Sequence, residues 1–540
     1  MIRNPSQLKD KVFDLLIIGG GIQGAALAWR ASLAGFTVAV IEQNDFGSGT
    51  SSSSQKIIHG GLRYLQSFDI KRIYQSVSER RRMMWLAPHL VKPLPFLMPI
   101  YGHGFKGKES MYAGMILYNL LSLNRNNIPD EEKYIPDARI INKKEILSVL
   151  PDLPEENLQG AAFWYDAFCT NTERLILSLL KSAMRYGAVA VNYIKATNLI
   201  KTQNKVLGAD VFDKISKNFA SIHARYTVNC TGSWIKELML DPAEENSFTA
   251  GINLVIKKDL PFKYGTGIND PVSKRMYVVV PWRDKFIIGT EWIPVSDPKN
   301  FSVSNQLIEK LLNAFNRAYP AAELCTDDIS FIHKGFVPAK KENSTDTLSH
   351  FRITNGSEHG YSGYFSIAAV KYTTAINVAE DLLKKIFNFR IDIPLIKQPK
   401  LIGGEINSVS QFSKDIIQKW NRLYPIPILN KLVSEYGSEV EDILTLARNE
   451  LRSTDHSFAR ELLKAQVLFA IREEMALSLE DIILRRTAIG SHENPPADMV
   501  YFIADIAAVE LNWTNKKKTE ELNKLGYMIT SEYKITEWSH

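Results

Sequence analysis

The chain has 540 residues, of which 45% are hydrophobic and 23% are charged, and its net charge is +6. This length predicts two or three domains, and the composition is that of an ordinary globular protein. The small net charge argues against a nucleic-acid partner but suits an anionic substrate or membrane surface. Cys169, Cys230 and Cys325 are widely spaced and odd in number. No disulfide framework and no metal site is therefore expected, and a reducing, cytoplasmic setting is favoured.

The first elements along the chain are a strand, a helix and a second strand. The apolar stretch "DLLIIGG" ends at glycine and predicts a buried strand. The stretch "IQGAALAWRASLAG", residues 22–35, predicts a helix that stops at its last glycine. "FTVAVIE" predicts the next strand. This order favours a parallel sheet with a right-handed crossover connection.

The remaining elements fall into three kinds. A helix over about residues 173–186 leads into a strand, and "ARYTVNCTGSWI" predicts a strand that ends in a small-residue turn. Between about residues 252 and 335, short turns join strands such as "RMYVVVPW" and "KFIIGTEW", which indicates an antiparallel sheet. Beyond residues 399–407 the chain is mostly helical. The predicted fold class is α/β, with a Rossmann-like nucleotide-binding domain, an antiparallel-sheet substrate domain and an all-α C-terminal domain.

One apolar segment, "MYAGMILYNLLSL" at residues 111–123, has two interpretations. It is shorter than the roughly 18 to 20 residues that span a bilayer. It predicts either a helix that is buried or covers a domain, or a helix that lies in a membrane interface. The sequence leaves both interpretations open.

The glycine-rich turn after the first strand has the spacing of a dinucleotide cradle. Gly19 permits a tight turn, Gly20 and Gly21 let a pyrophosphate approach the backbone, and Gly24 lets the helix pack on the strand. The following helix then offers free N–H groups to the phosphates. Glu42 ends the second strand, where a carboxylate binds both ribose hydroxyls and disfavours NADP. The motif alone does not separate NAD from FAD, and a turn without a ligand is the alternative.

A second segment, "GTSSSSQKIIHGGLRYL" at residues 49–65, is rich in hydrogen-bond donors and glycine. It predicts contacts to a further phosphate and a glycine-lined surface for a flat ring. The residues assigned to these contacts are Thr50, Ser51, Ser52, Lys56, His59, Gly60 and Gly61.

These two segments resemble the FAD-dependent glycerol-3-phosphate dehydrogenase family, within the D-amino-acid-oxidase-like flavoenzymes. The similarity continues along the chain in "WYDAFCTNTERL" (164–175), "VNCTGSWI" (228–235), "VVPWRDKFIIGT" (279–290), "LIGGEI" (401–406) and "EMALSLEDIILRRT" (474–487). The resemblance implies bound FAD and hydride transfer from the carbinol carbon of sn-glycerol 3-phosphate to flavin N5, with dihydroxyacetone phosphate as product. It implies that electrons pass to a membrane quinone or to oxygen.

The resemblance also implies a division of the chain. Residues 1–398 form the FAD-dependent oxidoreductase, with FAD-binding parts near 12–75, 160–240 and 335–395 and substrate parts near 76–159 and 245–334. Residues 399–540 form the helical C-terminal domain. Arg485 and Arg486 are expected to hold this domain against the FAD domain through ion pairs. The expected location is cytoplasmic, and contact with the inner face of the membrane and a homodimer both stay open.

The site residues follow from the matching motifs. Thr231, Gly232 and Lys371 join the predicted FAD-binding set, and Arg63, Tyr64, Lys371 and Thr373 form the predicted substrate-binding set. Arg63, Lys371 and His59 are the predicted catalytic residues. An imidazole titrates near working pH and suits proton transfer. The alternative is that His59 only holds the cofactor or its loop.

The substrate side departs from the family pattern at several positions. Asn253 replaces an arginine, and Asp259 falls where the family has a histidine. Val337 replaces an arginine in "GFVP", and Ile376 replaces another in "AVKYTTAI". Valine cannot supply the paired charge-assisted hydrogen bonds of a guanidinium. Three functions therefore stay open: a glycerol-3-phosphate dehydrogenase, an FAD enzyme for another alcohol, hydroxy acid or amine, and a non-catalytic flavin-binding protein.

Overall fold

The computed structural model describes residues 1–104, 107–240, 247–390, 393–450 and 458–526. Within these ranges it describes the backbone but not the side chains of Arg63, Gln66, Ser67 and Glu450.

The strands, in chain order, are β1 (Val12–Ile18), β2 (Val38–Ile41), β3 (Ile57–Ile58), β4 (Val91–Tyr101), β5 (Arg139–Asn142), β6 (Leu158–Cys169), β7 (Val189–Val191), β8 (Ile194–Lys201), β9 (Val206–Asp213), β10 (Phe219–Asn229), β11 (Phe248–Ile256), β12 (Gly265–Asn269), β13 (Met276–Trp282), β14 (Lys285–Val295), β15 (Ile329–Pro338), β16 (Arg352–Asn355) and β17 (Tyr364–Ala368).

The helices, in chain order, are α1 (Ile22–Leu33), α2 (Ile70–Leu86), α3 (Lys108–Leu121), α4 (Lys143–Val149), α5 (Thr172–Arg185), α6 (Asn305–Ala318), α7 (Ala375–Phe387), α8 (Val409–Trp420), α9 (Ile426–Tyr436), α10 (Val440–Glu450), α11 (Phe458–Glu474), α12 (Ala497–Glu510) and α13 (Asn515–Lys524).

The first sheet is parallel at its centre. Its strand order is β16-β17-β10-β1-β2-β7, and the hairpin of β8 and β9 pairs with β10. The pairs of β1 with β2 and β10, of β2 with β7, and of β10 with β17 are all parallel, whereas β16 is an antiparallel edge strand. Helix α1 packs on this sheet and against α5 and α7. The strand, helix and crossover predicted at the start of the chain are confirmed.

The second sheet is mostly antiparallel. Its order is β15-β11-β14-β13-β12-β4-β6-β3, with β5 paired to β6. The segments predicted as an antiparallel unit pair in that way, β13 with β14 and β11 with both β14 and β15. Helix α6 covers this sheet through a core that includes Phe262, Phe315 and Tyr319. Together with the helical C-terminal region, the two sheets confirm the predicted fold class.

The C-terminal helices α8–α13 have hydrophobic cores of their own. A buried ion-pair cluster joins them to the first sheet. The Asp45 carboxylate accepts from Arg485 Nε at 2.6 Å and from Arg486 Nη1 and Nη2 at 2.7 Å each. Arg174 on α5 also pairs with Glu474 on α11. The ion pairs that the sequence places on Arg485 and Arg486 are therefore confirmed.

Helix α3 covers a domain with one of its faces, as the first interpretation of the apolar segment predicts, and contact with a membrane stays a prediction. Met115 and Tyr118 are buried, whereas Tyr112, Ile116 and Leu120 are exposed by 59%, 48% and 59%. One face therefore covers the second sheet and the other face meets solvent. None of the helices within the described ranges is long and apolar enough to cross a bilayer.

The Asp45 cluster predicts a loss of stability when its charge is removed. Burial would raise the pKa of Asp45, but the charges of Arg486 and Arg485 outweigh burial and lower it to about 2. The unfolded value is about 3.9, so this stabilisation is fully present above that pH and is lost as the pH falls through about 2. At neutral pH, Asp45→Asn should lower the free energy of unfolding in urea by about 3–5 kcal/mol, because the buried guanidinium of Arg486 loses its carboxylate partner and that of Arg485 loses one of three.

The matched control is Asp505→Asn, which breaks an ion pair with Lys518 in which the Asp505 side chain is 67% exposed. That substitution should cost less than about 1 kcal/mol. Equal losses in the two variants would contradict a special role for the buried cluster.

Candidate functional site

The turn between β1 and α1 has room for glycine only. Gly19 has φ +116°, and a Cβ there would lie 2.5 Å from the carbonyl oxygen of Cys230. A Cβ on Gly24 would lie 1.9 Å from the carbonyl oxygen of Gly19. The amino end of α1 is thereby held against the end of β1, with its first N–H groups at the surface of a cavity. Ser51 Oγ accepts from one of them, the Ile22 N–H, at 3.1 Å.

Glu42 lies at the end of β2, beside the same turn. Its carboxylate accepts from the N–H of Gly20 at 2.8 Å and from the N–H of Asn44 at 2.9 Å. Burial raises the pKa of Glu42, and these two hydrogen bonds oppose that effect. The group is thus fixed in place at the cavity wall, which suits an acceptor for ribose hydroxyls.

The cavity measures about 540 Å³ and is lined by residues of both sheets. Of the residues that the sequence predicts at the site, those that line it are Gly19, Gly21, Glu42, Thr50, Ser51, His59, Tyr64, Thr231, Gly232, Lys371 and Thr373. The side chain of Arg63 lies outside the part of the chain that the structure describes.

Lys56 does not line the cavity, contrary to the expectation that it contacts a phosphate. Its side chain is buried, and its ammonium donates to Thr172 Oγ1 at 2.7 Å and to both carboxylate oxygens of Glu173 at 3.1 Å. The positive charge of this ammonium is already balanced by the buried carboxylate of Glu173. Lys56 therefore anchors the loop to the start of α5.

Gly60 and Gly61 also differ from the expectation, because they do not line the cavity as a surface for a flat ring. A Cβ on Gly60 would lie 2.1 Å from Arg80 Nη1, and one on Gly61 would lie 2.9 Å from the Cβ of Ser76. The two glycines therefore make room for helix α2. Three other predicted residues act through neighbours instead of at the cavity wall: Gly20 through Glu42, Gly24 through Gly19, and Ser52 through the Gly49 carbonyl.

His59 is the imidazole at the cavity wall, and its side chain is 41% exposed. Its Nδ1 lies 3.3 Å from Asp166 Oδ2, while Asp166 Oδ1 accepts from the Gly60 N–H at 2.6 Å. Burial would raise the pKa of Asp166, but the hydrogen bonds from His59 and Gly60 and the charge of Arg80 lower it. When Nδ1 carries the proton, it donates to Asp166 and leaves Nε2 as an acceptor.

Cations gather around the ring of Tyr64, which is buried at the cavity wall. Lys371 Nζ lies 4.0 Å from the ring centroid, and the guanidinium carbon of Arg72 lies 4.0 Å from the same centroid. Each contact is a cation–π interaction. Arg72 lines the cavity as well, although the sequence did not predict it.

The positions that depart from the family pattern do not share one place. Val337 and Asn253 line the cavity, and Asn253 Oδ1 accepts from Thr290 Oγ1 at 2.8 Å. Asp259 is exposed in the loop after β11 and does not line the cavity. Ile376 is buried in the core beneath α7. The expectation that Asp259 and Ile376 stand at the substrate is therefore corrected. Val337 does line the cavity, so its lack of a charged group bears on substrate binding.

Two candidate site residues, Asp166 and Arg72, are not predicted from the sequence, and each has a physical reason. Asp166 lies next to His59 because β3 pairs with β6, with Ile58 opposite Ala167, and nothing local fixes that pairing. Arg72 follows Tyr64 after a 3₁₀ turn, Leu62–Ser67, that folds the chain back on itself. Among the described residues, no group of three or more His, Cys, Asp or Glu side chains is placed to hold a metal ion.

The fold and the site define a dinucleotide-dependent oxidoreductase, and comparison with known families agrees. The family of FAD dependent oxidoreductases matches residues 14–374. The C-terminal domain of alpha-glycerophosphate oxidase matches residues 397–518. Because the first match covers more than half of the chain, the protein belongs to the FAD dependent oxidoreductase family and is an enzyme of that class. The resemblance predicted from the motifs is confirmed.

Several similar proteins carry the names of glycerol-3-phosphate enzymes. The glycerol-3-phosphate dehydrogenase of Synechocystis sp. is 28% identical over 97% of each chain. An alpha-glycerophosphate oxidase of Streptococcus pyogenes is 30% identical over 89% of each chain. The solved structure of the glycerol-3-phosphate dehydrogenase from Bacillus halodurans complexed with FAD has a TM-score of 0.76 and 25% identity, over 98% of each chain.

The residues at the site fit FAD. Gly19 and Gly24 leave no space for a side chain, the amino end of α1 faces the cavity, and the fixed carboxylate of Glu42 stands at the end of β2. Gln23 Oε1 lines the same region and is buried with no hydrogen-bond partner among the described residues. A buried acceptor of this kind requires a hydrogen-bond donor, and a bound cofactor can supply one.

Gly24→Ala is predicted to abolish FAD retention. A methyl group there overlaps the Gly19 carbonyl oxygen, so the turn has to open and α1 has to move. The purified variant should lack the visible flavin absorption. Gly35→Ala is the matched control, since Gly35 follows the same helix with φ +87°. A Cβ added there would meet no atom within 4 Å apart from its neighbours in the chain. It should lose about 1–2 kcal/mol of stability yet stay yellow. A yellow Gly24→Ala variant would refute the assigned role of the turn.

Proposed function

We propose that the protein oxidises sn-glycerol 3-phosphate to dihydroxyacetone phosphate. The supporting observation is one cavity in which the dinucleotide turn, the His59 and Asp166 pair and the cations around Tyr64 meet. Relatives with glycerol-3-phosphate dehydrogenase or oxidase names match most of the chain. When bound, FAD supplies a two-electron acceptor for the hydride of the substrate's carbinol carbon.

The cofactor would be held by the first sheet and its loops. The amino end of α1 and Ser51 bind the pyrophosphate, and Glu42 accepts from the ribose hydroxyls. Thr231 and Gly232, at the end of β10, line the same wall, as does Lys371 after β17. These residues form the proposed FAD-binding set, without Lys56, Gly60 and Gly61.

His59 takes the proton of the substrate hydroxyl on Nε2 in this proposal. Asp166 accepts from Nδ1–H and stabilises the imidazolium that forms, as an orienting carboxylate does for a general base. Lys371 and Thr373 line the cavity nearby and are proposed to bind the substrate, together with Tyr64 and Arg63. The alternative role of His59, holding the cofactor, gives a different result in the test below.

The first experiment mixes the purified yellow protein with sn-glycerol 3-phosphate in the absence of oxygen. The oxidised-flavin absorption should bleach, because the substrate delivers its electron pair to the cofactor. His59→Gln should keep its FAD and bleach about 10²–10⁴-fold more slowly, since the base is lost. Rates come from stopped-flow absorbance and FAD content from the spectrum of the denatured protein.

Each other outcome has a definite meaning. A yellow wild-type protein that stays oxidised with sn-glycerol 3-phosphate would refute the proposed substrate, and hydroxy acids, amines and other polyol phosphates would be tried next. Loss of FAD in the His59→Gln variant would assign His59 to the cofactor instead of to proton transfer.

We also propose that the enzyme works at the cytoplasmic face of a membrane and passes electrons to a quinone or to oxygen. Support comes from an exposed apolar surface, here called the α3 surface. It consists of one face of α3 with residues on the elements packed beside it, Phe68, Ile70, Tyr74, Tyr112, Ile116, Leu120 and Leu123. An exposed helix face of this composition suits the headgroup region of a bilayer.

Vesicle binding tests the α3 surface. The double variant Ile116→Ser with Leu120→Ser should bind vesicles of phosphatidylcholine and an anionic phospholipid about 10- to 100-fold more weakly than the wild type in a flotation assay. Val509→Ser is the matched control, because Val509 is 80% exposed on the C-terminal helix α12. If the double variant instead turns a dimer into a monomer, with vesicle binding unchanged, the surface is an interface between two copies.

A further inference from the structure

Arg72 differs from the other cations at the cavity wall. It lies in the first turn of α2, where the Asp69 carboxylate caps the helix by accepting from the Arg72 N–H at 3.1 Å. Arg275 also lines the cavity, but its guanidinium is paired with Glu291. Lys195 stands at the opposite end, where the Ile194 N–H donates to the carbonyl of Glu42. Among the described residues, Arg72 has no carboxylate within ion-pair distance.

The ring of Tyr64 fixes how far apart Arg72 and Lys371 stand. Each cation is 4.0 Å from the ring centroid, so the guanidinium carbon and the ammonium nitrogen are no more than about 8 Å apart. Two like charges over one ring repel each other, and an anion in the cavity beside them lowers that repulsion. Both side chains line the cavity, so the oxygens of a phosphate there can accept charge-assisted hydrogen bonds from them.

We propose that Arg72 is a substrate-binding residue that recognises the anionic group of the substrate together with Lys371. The inference rests on the proposed function for its substrate, a phosphate monoester. It supplies from α2 the guanidinium that Val337 cannot supply from β15. The fork of an arginine donates two parallel hydrogen bonds to a phosphate, whereas a lysine acts as a point charge.

The alternative is a packing role in which Arg72 only covers the ring of Tyr64. The two roles differ in what they predict. A packing residue affects stability and every step of turnover, whereas a phosphate-binding residue affects phosphate affinity and KM. A charged group that binds ground state and transition state alike changes KM and leaves kcat in place.

The experiment compares FAD-loaded Arg72→Met, Arg72→Lys and wild type. Lys71→Met is the matched control, since Lys71 is an exposed cation on the same helix turn that does not line the cavity. Arg72→Met should raise KM for sn-glycerol 3-phosphate about 10- to 100-fold with kcat changed little, and Arg72→Lys should fall between. Lys71→Met should match the wild type.

A second measurement does not depend on turnover. Inorganic phosphate should raise the Tm of the wild-type and Lys71→Met proteins by binding to the folded state, and this rise should vanish in Arg72→Met. An Arg72→Met variant with unchanged KM and an unchanged phosphate effect would overturn the inference, even if the wild type oxidises sn-glycerol 3-phosphate. If the wild type is not reduced by that substrate, yet the phosphate effect depends on Arg72, the proposed substrate fails and the anion site stands.

Discussion

The close contact of Gly24 with Gly19 is the constraint on which the rest of the site depends. Because a Cβ on Gly24 would lie 1.9 Å from the Gly19 carbonyl, α1 starts directly on the end of β1. This contact aims the N–H groups of the helix at the cavity and leaves space for the Glu42 carboxylate beside them. It also lets the long, mostly small-residue face of α1 pack against α5 and α7. Because Gly24 has no side chain, the same close contact forms the phosphate site and allows the core around α1 to pack.

The second sheet contributes the candidate general base, His59, and its carboxylate partner, Asp166. The short strand β3 ends one residue before His59, and its antiparallel pairing with β6 sets Asp166 beside the imidazole. Arg80 on α2 fills the space that Gly60 leaves and lies 3.6 Å from the same carboxylate. The orientation of His59 is therefore a product of sheet register and helix packing, so it is defined before any substrate binds. Preorganisation of this kind is what general acid–base catalysis requires.

The limits of sequence reasoning follow from the same geometry. The turn, α1 and Glu42 could be predicted because all their contacts lie within one β-α-β unit. Lys56 could not, because its partner Glu173 is more than a hundred residues away along the chain. The motif around Gly60 is visible in the sequence, but its glycines make room for Arg80 and Ser76 of α2, and only the folded chain shows that contact. A helix presents side chains on every side, so the sequence alone does not tell that Ile376 faces the core and not the substrate.

Val337, where the family pattern predicts an arginine, and the arginine at Arg72 are best understood together. Val337 sits in β15, where the pairing of its backbone with Thr249 fixes the direction of the side chain. Arg72 lies in the first turn of α2, and its guanidinium stacks on the ring of Tyr64 at the cavity wall. The strand pairing sets the direction of the side chain at Val337, whereas stacking on Tyr64 sets the position of the Arg72 guanidinium. Tyr64 therefore lines the wall of the cavity and also positions the guanidinium of Arg72, while β15 has an uncharged valine at Val337.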